Sequence, residues 1–225
     1  VLNWRTGGVG RVLLPLAALP LLLTGCGASE SDAASTLGEE QLESVLVTLD
    51  DLSEGFVPLS SGGDGGGNDA RASLNDAECL AGLDLANADE APRAEAGFNR
   101  ANVLTITSTA TSYPNDDVAA SFDETADALA SCADFEVSAD NGSGVKGTLI
   151  SDDTAASKDI DAQITVYLTG TQQPTNLPVE ITFGVARIGN DVVSVSAEGL
   201  GGPSGESFQE LMRATTDRLV AAREG

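Results

Sequence analysis

The sequence predicts an α+β fold in which an antiparallel β-sheet carries helices packed mainly on one face. Three observations point there. From Phe135 onward apolar residues recur with a period of two, as in strands with one buried face. Asp116 to about Ser131 and Glu206 to Arg223 instead place apolar residues at helical spacing. Between the later strands stand only turns and loops, with no helical stretch to form parallel crossovers, so antiparallel pairing follows.

The elements follow in order. Thr36 precedes Glu39 in a capping-box pattern, and Leu42, Val45, Leu46 and Leu49 recur at helical spacing. A helix is expected from near Gly38 to between Leu49 and Ser53, then an extended stretch from Phe56 to Leu59. Ser60 to Asn68, SSGGDGGGN, suits no regular element and reads as a loop. Its Gly62-Gly63-Asp64 resembles a calcium-repeat fragment but occurs once, and that architecture needs stacked copies. Ser73 to Leu85 is a short helical segment carrying Cys79.

Ala94 to Ala101 and Val103 to Tyr113 read as an antiparallel strand pair. In the second, Val103, Thr105, Thr107, Thr109, Thr111 and Tyr113 share one face; Leu104, Ile106 and Ala110 share the other with Ser108 and Ser112. Tyr113-Pro114-Asn115 breaks the strand, and Asn115 caps a helix whose first acids, Asp116 and Asp117, suit the positive end of its dipole. Val118, Phe122, Leu129 and Cys132 form its inner stripe. Strands are expected at Phe135 to Ser138 and Val145 to Ile150, joined through Asp140-Asn141-Gly142. Two more alternate through Ile160, Ala162, Ile164, Val166 and Leu168, and through Val179, Ile181, Phe183 and Val185, each with one buried face. Ile188-Gly189-Asn190-Asp191 makes a tight hairpin into Val192 to Ala197. The closing helix turns Phe208, Leu211, Met212, Thr215 and Leu219 inward, with Arg218 and Arg223 at the negative end of its dipole.

Composition excludes several functions. The chain has 35 acids against 11 bases, a formal charge of -24. Nucleic-acid binding draws its affinity from clustered Lys and Arg, so it is not expected. The scattered acids read as solubility and colloidal repulsion. Histidine is absent, which removes Ser-His-Asp and Cys-His catalysis and most zinc chemistry.

Leu23-Thr24-Gly25-Cys26 follows the apolar run Val12 to Leu23, itself preceded by Arg5 and Arg11 with no acid. This resembles the lipobox of bacterial prolipoproteins, matching leucine, a small residue, glycine or alanine, then cysteine at every position. The run is shorter than the roughly 20 apolar residues needed to span a bilayer. The resemblance implies cleavage before Cys26, a diacylglycerol on its sulfur, acyl chains of the palmitate kind, and a place on the outer face of the cell membrane. It divides the chain into a leader (1–25), a lipidated tether (26–37) and one extracytoplasmic α+β domain (38–225). GASESDAAS, 27–35, cannot bury apolar surface, and about ten such residues reach roughly 18 Å. The only tryptophan, Trp4, leaves with the leader.

With Cys26 acylated, Cys79 and Cys132 are an even pair in an oxidising compartment, and one disulfide between them is the economical reading. It closes a loop of about 54 residues, which the chain-entropy estimate values at roughly 4 kcal/mol. A redox-active pair would sit as C-x-x-C.

Leu49-Asp50-Asp51-Leu52-Ser53-Glu54-Gly55-Phe56, Cys79-Leu80, and Ala119-Ala120-Ser121-Phe122 leading to Ala130-Ser131-Cys132 resemble segments of one family. It comprises the extracellular sensor domain of the mycobacterial kinase PknH and the free-standing actinobacterial lipoproteins that share it. The likeness spans about residues 40 to 222. It implies an antiparallel sheet flanked by helices around a cleft for an unidentified ligand. The kinase member carries two disulfides where this chain has cysteines for one, and this chain has no kinase domain, so any signal passes through a partner. Arg over Lys and abundant Ala, Gly and Asp suit a high-GC actinobacterial genome.

The expected function is therefore a non-catalytic, membrane-tethered ligand-binding or sensor-like module of the cell envelope. It would take a small envelope ligand or touch a protein partner, with no cofactor, metal or catalytic residue. The ligand site is unassigned; the Thr face of Val103 to Tyr113 and the polar face bearing Tyr167 are candidates. One alternative is a cell-wall enzyme using carboxylates, drawing on Asp50 and Asp51, Asp116 and Asp117, or Asp152 and Asp153. Adjacent acids face opposite ways on a strand and diverge by about 100° on a helix, so adjacency alone makes no facing pair. The other is a calcium-stabilised structural protein using Asp152, Asp153, Asp159 and Asp161, although calcium wants about six to eight oxygen ligands.

Overall fold

Strands form where apolar and polar residues alternate, and eight of them pair into one antiparallel sheet. The computed structural model describes residues 36–59, 91–101, 103–115, 117–138, 144–155, 157–199, 202–203 and 205–225. The leader, Cys26, the Ser60–Asn68 loop, the helical segment with Cys79 and the Asp140–Gly142 turn lie outside them. The strands are β1 (Val57–Pro58), β2 (Arg93–Arg100), β3 (Leu104–Ser112), β4 (Asp134–Ser138), β5 (Gly144–Asp152), β6 (Ala162–Gln173), β7 (Leu177–Ile188) and β8 (Asp191–Gly199). Their order is β1-β2-β3-β8-β7-β6-β5-β4. The described helices are α1 (Glu39–Val45), α2 (Asp117–Ala130) and α3 (Gly205–Glu224). None of them is long and apolar enough to cross a membrane.

The three helices divide between the two faces of the sheet. α1 and α3 share one face, where Leu42, Val45, Phe208, Met212 and Leu219 pack on β2, β3 and β8. α2 lies on the other, where Val118, Phe122 and Leu129 pack with Phe135, Leu149 and Val166. One-face packing thus holds for α1 and α3, and α2 builds a second core behind the sheet. The consequence is visible in β7, which was expected to have one buried face, and in its neighbour β8. Val185 and Val192 belong to the α2 core while Ala186 and Val193 belong to the α1/α3 core. Alternation with polar residues is lost where both faces are covered.

The first helix is shorter than its pattern. Gln41 Oε1 accepts the Gly38 N–H at 3.1 Å, so the cap is Gly38 with Gln41 rather than Thr36 with Glu39. The chain leaves the helix after Val45 and turns extended at Leu46. Leu49 is 45% exposed, not an inner position. Leu37, assigned to the tether by composition, is buried and donates its N–H to Ser112 Oγ at 2.9 Å. The folded region therefore begins at or before Leu37.

The hairpin at Gly189-Asn190 forms as expected, with Ile188 opposite Asp191 and Gly189 at φ +57°. The five inward residues expected of α3 are all buried. Its arginines do more than offset a dipole. Arg223 donates to the Ile188 carbonyl at 2.9 Å and pairs with the buried Asp191. Arg218 reaches Leu46 and Asp51.

Candidate functional site

Arg218 fixes the segment that walls a cleft. After α1 the chain runs extended through Val47, whose N–H donates to Ser108 Oγ on β3 at 3.3 Å. A 3-10 turn follows at Leu49–Asp51, and Asp51 folds back to accept the Thr48 N–H at 2.7 Å and the Thr48 hydroxyl at 2.9 Å. Arg218 then donates to the Leu46 carbonyl at 2.7 Å and to Asp51 at 2.6 Å. Gly55 at φ +96° reverses the backbone, a conformation glycine takes without steric cost. Phe56 is thereby placed under the Arg100 guanidinium, 5.0 Å from ring centre to carbon. Arg100 also donates to Ser53 Oγ at 3.3 Å. Residues 46–56 form a strap held by two arginines from different elements.

Between this strap, β3 and the first turns of α3 lies a cleft of about 560 Å³, a size typical of small-molecule pockets. Leu104 and Ile106 line it from β3, Leu52 and Phe56 from the strap, and Leu211 and Ala214 from α3. Polar groups also line it: Ser53 from the strap, Arg100 from β2, and Ser207 and Glu210 from α3. Burial by itself would raise the Asp51 pKa, but the hydrogen bond from Arg218 and those from the Thr48 backbone and hydroxyl outweigh it and hold the carboxyl below its ordinary value. Asp51 is thus an ionised, clamped residue, poorly suited to act as a general acid.

That clamp has a pH signature. A carboxylate whose folded-state pKa is depressed stabilises the fold fully above the ordinary value of 3.8, and the benefit is lost as pH falls from there through the folded-state pKa. Asp51→Asn is expected to lower stability by about 1 kcal/mol at neutral pH. Its urea midpoint should converge on the parent's only in strong acid; a gap unchanged across that range would refute the assignment.

The residues singled out in the sequence land elsewhere. Thr105, Thr107, Thr109 and Thr111 face the α2 side of the sheet, away from the cleft, which is lined by the even positions of the same strand. Thr107 shares a 2.6 Å hydrogen bond with Ser196, and Thr105 accepts from Asn99 at 3.3 Å, so part of this face is tied to its own neighbours. Tyr167 sits on the α3 side beside Gly205 and does not line the cleft. Of the acids considered for calcium, Asp152 accepts the Thr154 N–H at 2.8 Å, and Asp161 accepts from Gly189 at 2.7 Å and pairs with Arg187 at 3.3 Å. Among the described residues no three of His, Cys, Asp and Glu converge as a metal site. Cys132 is buried beside Phe135 and Leu149 in the α2 core; Cys79 lies outside the described residues.

Sequence reasoning missed the cleft because its residues span positions 51 to 214. One signal was available: Leu49 to Phe56, the segment that carried the family likeness, is the strap.

An antiparallel eight-stranded sheet with helices packed against it and a lateral cleft defines the class of fold. The extracellular domain of PknH from Mycobacterium tuberculosis has a similar fold, with a TM-score of 0.54 at 16% sequence identity over 83% of this chain and 99% of that one. The chain matches no family model and no curated protein.

Proposed function

We propose that the protein is a non-catalytic binding module of the cell envelope, anchored by lipid on Cys26, that takes a small ligand into the cleft between the strap, β3 and α3. The cleft carries this reading, because it has the size of a small-molecule pocket and its lining combines apolar side chains with a comparable share of polar groups from the strap, Arg100 and α3. The fold likeness to an extracellular domain supports the outward orientation. The clamped state of Asp51 and the lack of histidine favour binding over catalysis. In this reading residues 1–25 are the leader, the chain from Cys26 to just before Leu37 holds the lipid and tether, the domain runs from Leu37 onward, and Cys79 bridges to Cys132.

Native mass spectrometry of residues 27–225, purified non-reduced from the host, tests it. A bound mass released on denaturation, and lost when Ala214→Trp fills the cleft, is the expected result. A clean protein mass would overturn small-molecule capture and leave a protein partner as the role. The same spectrum reads the bridge as a missing pair of hydrogens, and Cys132→Ser is expected to lower stability by about 2–4 kcal/mol.

A further inference from the structure

Resting on that reading of the anchor and the cleft, we infer that the cleft is held at the pole of the domain away from the membrane. It takes its ligand from the wall side, as a small, polar, water-soluble molecule and not as a lipid drawn from the bilayer.

The chain enters the described fold at one end of β3 and reaches the cleft at the other. Leu37 donates its N–H to Ser112 Oγ at the last residue of β3. The β7–β8 turn and the end of α3 share that end of the sheet, since Tyr113 donates its N–H to the Asn190 carbonyl and Arg223 donates to that of Ile188. After α1, Val47 bonds to Ser108 at the middle of β3, and the strap reaches the cleft over Ile106 and Leu104 at its start. Arg100, opposite Leu104, and Ser207, in the first turn of α3, complete the cleft at that end. Leu104 and Ser112 lie about 27 Å apart along the strand. Gly27 to Thr36 is all that links Cys26 to Leu37. Such a segment has a mean reach of roughly 18 Å and spans about 35 Å at full stretch. Bringing the cleft against the bilayer would make the tether run back along β3, using most of that stretch and most of its conformational freedom. A relaxed tether therefore leaves the Leu37 end nearest the membrane and the cleft outermost.

The lining selects the same class of ligand. Leu104 and Ile106 are 2% exposed and Leu211 6%, so the apolar floor has almost no surface left to cover, and an acyl chain would gain little by entering. Arg100 is engaged by Phe56 and Ser53, and Asp51 by Arg218, so neither offers a free charge to a lipid headgroup. The exposed lining residues are Ser53, Ser207 and Glu210. Their hydroxyl and carboxylate oxygens suit the hydroxyl and amide groups of a polar solute.

The mature chain has no tryptophan once Trp4 leaves with the leader, so a single introduced tryptophan reports its own height above a membrane. The lipidated protein is inserted into vesicles carrying a dansyl-headgroup lipid, and energy transfer from that tryptophan is read. Glu224→Trp, at the Leu37 end, is expected to be strongly quenched, whereas Val103→Trp, exposed beside Leu104, is expected to lose little or nothing. Glu54→Trp, exposed on the strap, repeats the second reading should Val103→Trp fail to fold. Equal quenching at the two ends, or stronger quenching at the cleft end, overturns the inference. For the ligand, the same protein is incubated with the soluble products of digested host cell wall or with vesicles of host lipid, then weighed by native mass spectrometry. A mass gained from the wall digest, absent with lipid and lost in Ala214→Trp, is the expected result. A lipid mass lost in Ala214→Trp overturns the inference and leaves the binding module standing. A cleft-dependent mass found only on protein taken from the host decides by its own chemistry, polar in support and lipid against. No cleft-dependent mass from any of the three sources takes both readings down.

Discussion

Phe208→Ala is expected to destabilise the protein by about 3–5 kcal/mol, or roughly 6–20 °C in melting temperature for a domain of this size. Phe208 is fully buried in the core between α3 and the sheet. It lies over Gly184 of β7, where an added Cβ would stand 2.9 Å from the Phe208 ring and 2.6 Å from Met212 Sδ. The helix therefore rests on bare strand backbone. If the ring is removed, Gly184 has no side chain to enter the hole, and a central strand paired on both edges cannot move to close it. The converse change, Gly184→Ala, forces its methyl against Met212 and Phe208 and should cost about 1–3 kcal/mol. Combined, the two substitutions should cost less than their sum because the methyl enters the space left by the ring. Urea unfolding measures all three; strict additivity would show that α3 does not meet β7 at this point.

Arg223→Met is the second large effect, expected at about 2–3 kcal/mol. Asp191 begins β8 with 2% of its side chain exposed, and Arg223 pairs with it while also donating to the Ile188 carbonyl. Methionine keeps the apolar stem but leaves a buried carboxylate without its partner, a loss of about 3–5 kcal/mol for a fully enclosed pair. The smaller figure reflects the 30% exposure of Arg223, whose charge water partly screens. Asp191→Asn added to Arg223→Met should recover part of the loss by removing the buried charge. A double variant no more stable than Arg223→Met alone would show that packing, not charge, is what Arg223 supplies.

How much of this was legible in the sequence depends on the range of each signal. Strand alternation is local, so Leu104 to Ser112 and Ala162 onward were readable, including which residues of β3 share a face. The closing helix was readable for the same reason. The length of α1 was not, because Leu46 continues the helical spacing while its burial comes from an extended backbone packed on the core. The two-sided burial of β7 and β8 was hidden for a related reason: small residues such as Gly184 and Ala186 look neutral in sequence and face the core because α3 sits close above them. The cleft depends on Arg218 meeting Asp51 and on Arg100 meeting Phe56 across long separations, which no periodicity encodes. The Thr-rich face drew notice for its composition, yet composition did not say which side of the sheet carried the cleft.

The strand order also dictates a sequence of events. β4 to β8 form a run of hairpins between consecutive segments, and β1 to β3 form another group. The two groups meet only where β3 pairs with β8, with Thr107 bonded to Ser196 across 89 positions. Nearby segments pair quickly and distant ones slowly, since a long loop must close before contacts reward it. A chain emerging from its N-terminus has β3 in hand long before β8 exists, so that edge waits unpaired, open to other strands, until nearly the whole polypeptide has appeared. Topology thus favours the β3–β8 seam as a late join, and until it forms β3 is an edge open to wrong pairing.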